Sequence, residues 1–355
     1  MSDAAIIVEP DYELPPYARD RDFKIYRAGD LTLQGGEVLL DARLAFKTYG
    51  ELNAAADNCI VFPTYYTGTH SGNERLIGPG RALDPTRYFI VIPNLFGNGL
   101  SSSPSNASLS QRGSRFPRIT VYDNVMCQQR LVMQHLGVRR IALAMGWSMG
   151  ALQAYQWAVS FGDDVERLLP LCGSARCWPL NHVFLEGVKA ALLADPDYQN
   201  GNYQHAPQRG LRAFGRAYAG WAFSAAFFRE QLYKELRFAT LEDLLQYWER
   251  DHLQWDANDL LAMLWTWQHA DPGANAQYGG DFKRALAGIK ARTLVMPCDT
   301  DQYFTVEENR IEAGLIPGAQ LRVLPSPFGH CAGAPGRFRA ETALLEQALR
   351  DLLPG

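Results

Sequence analysis

No stretch of this 355-residue chain approaches the ~20 consecutive apolar residues that cross a bilayer. The N-terminal segment MSDAAIIVEPDYELPPYARD lacks the positive start and apolar run of a secretory signal. A soluble, cytoplasmic protein with no membrane partner is the expectation. An excess of one charge is missing too: 34 Lys and Arg stand against 38 Asp and Glu, for a net charge of −4. No basic block occurs, which argues against nucleic acid as a partner. The six cysteines (Cys59, Cys127, Cys172, Cys177, Cys298, Cys331) form no Cys-x-x-Cys pair, and the seven histidines include no His-x-x-x-His or His-Glu-x-x-His spacing. No metal is therefore expected, and most thiols read as small buried apolar residues rather than disulfide partners.

What is present is alternation. Residues 1–22 read as an irregular, proline-containing lead. Strands are expected at 44–52, 58–66 and 88–96, followed by a Ser/Gly/Pro-rich loop over 97–117 of the kind that is functional or disordered in compact domains. Residues 121–138 space their apolar side chains as an amphipathic helix closed by Gly137. Strands follow at 141–145 and 165–175. From about 176 to 285 the pattern turns helical and Trp-rich, and strands resume at 291–299 and 321–327 before a last helix. The reading is an α/β fold: residues 1–175 and 286–355 form a mostly parallel sheet with helices on both faces, interrupted by a helical insertion over 176–285.

Within IALAMGWSMGALQAYQWA (141–158), a strand runs into Gly-Trp-Ser-Met-Gly and a helix follows. Glycines on either side allow a sharp turn, and Ser148 would project at the helix N-terminus, where the dipole favours developing negative charge. The N–H of Met149 would point the same way as one oxyanion donor. A serine hydroxyl needs a base, and the base needs an acid, in the chain order Ser, acid, His. His330 follows a late strand and is the last histidine of the chain; Asp299 and Asp301 both follow the strand before it. Asp301 is preferred, because Asp299 lies closer to the strand and suits a turn cap. The second oxyanion donor should come from the loop 62–73, with Tyr66 as candidate; lining a pocket is the plainer role for Tyr65 and Tyr66.

The motifs FKTYGELN, YYTGTH, ALDPTRYFIVIPNLFGNGLSSSPS, FPRITVYDNV, GWSMGA, LLADPDYQNGNY with RGL, WDAND, DTDQYF and SPFGH occur in this order along most of the chain. Together they resemble the homoserine O-acetyltransferase family of the α/β-hydrolase superfamily. The resemblance implies an α/β-hydrolase fold with a helical cap that forms a tunnel and often a dimer. It implies an acyl-enzyme on Ser148 in a ping-pong exchange, with acetyl-CoA or another acyl-CoA as co-substrate and no bound cofactor. It also supports Asp301 as the acid and Tyr66 as the oxyanion residue. Three departures bear on the acceptor. Trp147 and Ala151 replace elbow glycines; Cys331 stands where an aspartate commonly binds the acceptor's amino group. Gly215 and Ala222 stand where an arginine and a tyrosine face the substrate, with Arg216 one position away as a substitute. The expected function is O-acyl transfer to a small hydroxyl acceptor, homoserine being disfavoured. The alternative is an esterase or thioesterase with water as acceptor.

Overall fold

The centre of the molecule is built from strands that read as unbroken apolar runs, which is the signature of a sheet buried on both faces. In a computed structural model that describes residues 7–10, 15–17 and 21–353, nine strands form one sheet. They are β1 (Ile7–Val8), β2 (Lys24–Thr32), β3 (Val38–Tyr49), β4 (Cys59–Val61), β5 (Phe89–Pro93), β6 (Ile141–Trp147), β7 (Arg167–Leu171), β8 (Arg292–Val295) and β9 (Gln320–Leu321). Their order is β1-β2-β3-β5-β4-β6-β7-β8-β9. Pairing is antiparallel from β1 to the β3–β5 contact and parallel from there to β9. This is the α/β-hydrolase fold expected from the sequence.

Alternate residues of the central strands feed opposite faces. Val91, Ile141 and Ala144 join one apolar cluster, with Trp157 and Leu152 of helix Met149–Ser160. Ile90, Leu143 and Met145 join another, with Leu345 and Leu349 of helix Arg339–Leu352. Burying both faces gives these short strands their stability, because each carries too few residues to hold together by pairing alone.

Between β7 and β8 the described chain contains no strand. Its α-helices are Pro179–Leu193, Gln208–Ala222, Ala225–Arg229, Leu241–His252, Ala257–Gln268 and Phe282–Ala287. The helix expected over 121–138 is α-helical over Val121–Gln129 and continues as a π-helical turn over Arg130–His135. Two elements escaped the sequence pattern. The β2 strand and the first half of β3 make a long hairpin whose burial alternates irregularly because register shifts interrupt it between Arg27 and Leu31. Helix Val306–Leu315 is almost evenly polar and carries only two buried residues, Asn309 and Glu312, both of them polar. The lead expected over 1–22 lies partly outside the described residues; β1 falls within it. No described helix is long and apolar enough to cross a membrane.

Candidate active site

The strand β6 ends at Trp147 and the next helix starts at Met149, so Ser148 is the single residue of the turn. Its backbone sits at φ 58°, ψ −126°, a conformation that costs an L-residue on the order of 1–3 kcal/mol. The flanking glycines make the turn possible. A Cβ on Gly146 would lie 2.2 Å from the Gly150 carbonyl, and one on Gly150 would lie 2.7 Å from Pro63 O. The Ser148 N–H donates to Leu171 O of β7 at 3.1 Å, anchoring the elbow to the sheet. Met149 opens the helix, with its N–H in the first turn, where helix N–H groups have no partner within the helix.

The structure separates the two acids that the sequence left side by side. Asp301 Oδ2 accepts from His330 Nδ1 at 2.7 Å, and its Oδ1 accepts from the N–H groups of Tyr303 and Phe304, both at 3.1 Å. Asp299 turns the other way: its Oδ1 accepts from Ser326 N at 2.9 Å and joins the two loops behind β8 and β9. A carboxylate bound to Nδ1–H fixes the imidazole tautomer and leaves Nε2 bare.

Aromatic rings hold that imidazole. Trp147 stacks on His330 at 5.0 Å between centroids, and its indole N–H donates to His330 O at 3.2 Å. Tyr303 and Phe304 pack on it at 4.5 and 5.4 Å. Trp147, which replaces an elbow glycine of the family pattern, thus braces the residue expected to act as base.

Ser148 and His330 line one cavity of about 370 Å3. Tyr65, Tyr66 and Thr67 form part of its wall, and Tyr218, Ala222, Trp248 and His252 of the helical segment form another. Tyr66 is buried, and its hydroxyl donates to Leu260 O at 3.1 Å. Thr67, beside it, takes φ 56°.

A family model described as the alpha/beta hydrolase fold matches residues 66–334. The chain belongs to the α/β-hydrolase family. The chain is 37% identical to an ethyl acetate hydrolase of Pseudomonas veronii, over 92% of this chain and 93% of that one. It is 33% identical to a homoserine O-acetyltransferase of Trichormus variabilis, over 89% of each chain. The solved structure of an acetylester hydrolase from Corynebacterium glutamicum superposes with a TM-score of 0.89 at 36% identity, covering 93% of this chain and 95% of that one. Esterases and homoserine acyltransferases are thus both among its relatives, and the protein is an enzyme of one of these two types.

Of the two residues expected to touch substrate, the structure keeps one at the cavity. Cys331 is buried in the wall directly after His330, and burial pushes its thiol up to about 11, so it is uncharged at neutral pH. Arg216 is a correction. It lies on the outer face of helix Gln208–Ala222, where its guanidinium binds Glu242 at 2.8 Å and Glu249 at 2.7 Å. It does not line the cavity. On a helix each residue turns the side chain by ~100°, and the inward face here carries Gly215, Tyr218, Ala219 and Ala222. Shifting by one position moved the guanidinium to the solvent side. The charged groups that do reach the cavity are Arg75, Asp251 and Arg337. Arg337 sits seven residues past His330 and Arg75 just beyond the YYTGTH loop, so proximity to those motifs was the available signal. His252 was also missed, although its i, i+4 spacing from Trp248 places the two on one helix face.

Proposed function

We propose that this hydrolase cleaves small carboxylic esters, acetates among them, with water as the final acceptor. The observation that carries this reading is the neutral wall beside His330. A buried, protonated thiol follows the imidazole, and Arg216, the residue expected from the sequence to bind an acceptor carboxylate, is engaged on the surface. A zwitterionic acceptor placed there would forgo charge-assisted hydrogen bonds worth about 1.5–3 kcal/mol each. Water forgoes nothing. The 37% identity to an ethyl acetate hydrolase supports the same reading.

In the proposed mechanism His330 Nε2 takes the proton of Ser148 Oγ as that oxygen attacks the ester carbonyl. Asp301 keeps Nδ1 protonated and stabilises the imidazolium that forms. The N–H groups of Met149 and Tyr66 receive the negative oxygen of the tetrahedral intermediate. His330 then delivers its proton to the departing alcohol, leaving an acyl-Ser148 ester. Water attacks that ester with His330 again taking a proton, and the carboxylic acid leaves as Ser148 regains its hydrogen.

A second reading, transfer of the acyl group from an acyl-CoA to a small hydroxyl acceptor, draws on Arg75, Arg337 and Asp251. They line the same cavity and offer partners for a carboxylate and an ammonium group. One experiment separates the two. Purified protein is given ethyl acetate, and separately acetyl-CoA with L-homoserine or neutral alcohols. The esterase reading expects ester cleavage without any added acceptor and a poor response to homoserine. A kcat/KM for homoserine acetylation a hundredfold above that for ester hydrolysis would reverse the order of the readings. Ser148→Ala should abolish whichever activity is found, by several orders of magnitude, with its melting temperature little changed.

A further inference from the structure

Three side chains of the cavity wall carry a buried polar atom with no hydrogen-bond partner, Tyr303 through its hydroxyl and Trp248 and His252 through ring nitrogens. His252 is 1% exposed, and its Nε2 is buried without a partner; so is the indole nitrogen of Trp248 one turn earlier. Both residues line the cavity that holds Ser148 and His330. Orphaned buried polar atoms cost about 1–3 kcal/mol each, and they persist where a ligand supplies the missing bond.

The protonation of each atom follows from its neighbours. His252 Nδ1 lies 2.9 Å from Trp248 O, and a carbonyl only accepts, so Nδ1 carries the proton. Burial holds the ring below the usual histidine range, Asp251 opposing that shift, so the ring is neutral and Nε2 is a bare acceptor. The Trp248 nitrogen can only donate. The two rings stack at 5.8 Å with planes 25° apart, so the ring that carries the donor and the ring that carries the acceptor are neighbours. From them the aromatic wall runs through Tyr218, 5.6 Å from Trp248, to Tyr303 at 6.4 Å, and Tyr303 touches His330.

The helix can sit there because of Gly215. A Cβ at that position would lie 2.5 Å from Trp248 O and 3.1 Å from His252 Nδ1. Where the family pattern has an arginine side chain, this chain has a gap filled by a neighbouring helix that carries its own pair of polar atoms.

We propose that Trp248 and His252 form a specificity subsite for a hydroxyl group on the ester substrate. A hydroxyl accepts from the indole N–H and donates to Nε2, satisfying both atoms at once. An ammonium group offers no acceptor, and a carboxylate or ketone offers no donor. The subsite thus narrows the esterase reading, on which it rests, to hydroxylated esters: monoesters of diols, or esters of hydroxy acids.

The test uses isosteric pairs in which a methyl replaces the hydroxyl: 2-hydroxyethyl against propyl acetate, 4-hydroxybutyl against pentyl acetate, and ethyl 3-hydroxybutanoate against ethyl 3-methylbutanoate. The first two place the hydroxyl on the alcohol side and the third on the acyl side. The wild-type protein should favour the hydroxylated member of at least one pair by roughly tenfold or more in kcat/KM. That ratio should fall towards one in His252→Phe and in Trp248→Phe; a merely structural lesion would lower both members together. The same pairs titrated calorimetrically against Ser148→Ala read the subsite without turnover. Tighter binding of the hydroxylated member there, with no ester cleaved by the wild type, would overturn the esterase reading and uphold the subsite. Equal kinetics and equal binding within every pair would overturn the subsite, a water molecule then serving the two atoms. A preference that survives in both variants would place recognition elsewhere and also overturn it. If one variant fails to fold, the ratio in the other still decides whether the preference belongs to this pair.

Discussion

At Asp299 and Asp301 two identical side chains, two positions apart, do different work because only one of them meets an imidazole. Asp301 receives three hydrogen bonds, from His330 Nδ1 and two backbone N–H groups, while Asp299 receives the Ser326 N–H. Asp301→Asn should keep the fold and lower kcat/KM by about four orders of magnitude, since an amide selects the wrong imidazole tautomer. Asp299→Asn should cost far less activity and instead loosen the joint between the β8 and β9 loops, by roughly 1 kcal/mol in denaturant titration. Comparable activity losses in two folded variants would undo this division of roles. Trp147 belongs to the same scale: its ring and its N–H both engage His330, so it positions the residue proposed as the base.

Among elements, the crossing of helices Gln208–Ala222 and Leu241–His252 decides what the cavity offers. Gly215→Ala should destabilise the protein by about 1–3 kcal/mol, although alanine is the better helix former, because the added methyl meets the Trp248 carbonyl at 2.5 Å. Thermal melts of the variant would show it, and a rise in melting temperature would contradict the packing argument. The long loop over 97–117 shows why motif likeness is not all chemistry. Asn98 donates to Gly68 O in the loop that holds Tyr66, and the Ser105 N–H and hydroxyl both bind the Asp259 carboxylate of WDAND. The loop braces the Tyr66 segment against helix Ala257–Gln268. Its lack of periodicity reflects a polar network in place of a helix or strand.

For the whole molecule, a buried acid joins the sheet to the helical segment. Glu312 is fully buried on helix Val306–Leu315; it accepts from Trp178 Nε1 at 2.7 Å and from Ala175 N at 2.9 Å, where the chain leaves β7 for the first helix of that segment. Burial pushes its carboxyl from 4.5 up to about 8. A raised folded-state value means that the group is protonated when folded and ionised when unfolded. Its stabilisation is complete below about 4.5 and is lost as pH rises towards 8. Across that window it should remove up to ~1.4 kcal/mol per pH unit. Glu312→Gln, uncharged at every pH, should flatten the dependence of unfolding free energy on pH between 5 and 8, whatever it does to absolute stability. An unchanged slope would show that Glu312 does not carry this linkage.

The sequence by itself determined what rests on local pattern. Unbroken apolar runs specify strands buried on both faces, glycines two residues from Ser148 specify the elbow, and chain order specifies which histidine and which pair of acids can reach it. Those signals are written in neighbouring residues, so they survive without coordinates. The irregular β2–β3 hairpin and the polar helix around Glu312 carry no such period, and they form because the rest of the fold covers them. The sequence favoured Asp301 over Asp299, but the contact with His330 closes across 29 residues of chain, and only the tertiary structure shows it made. It also decided that Arg216 lies at the surface, bound to Glu242 and Glu249, while Gly215 packs against Trp248 and His252, since ~100° of rotation per residue turns a one-position shift into different surroundings. Trp248 and His252 entered the site for the same reason: a glycine on one helix left room that a second helix, remote in sequence, came in to fill.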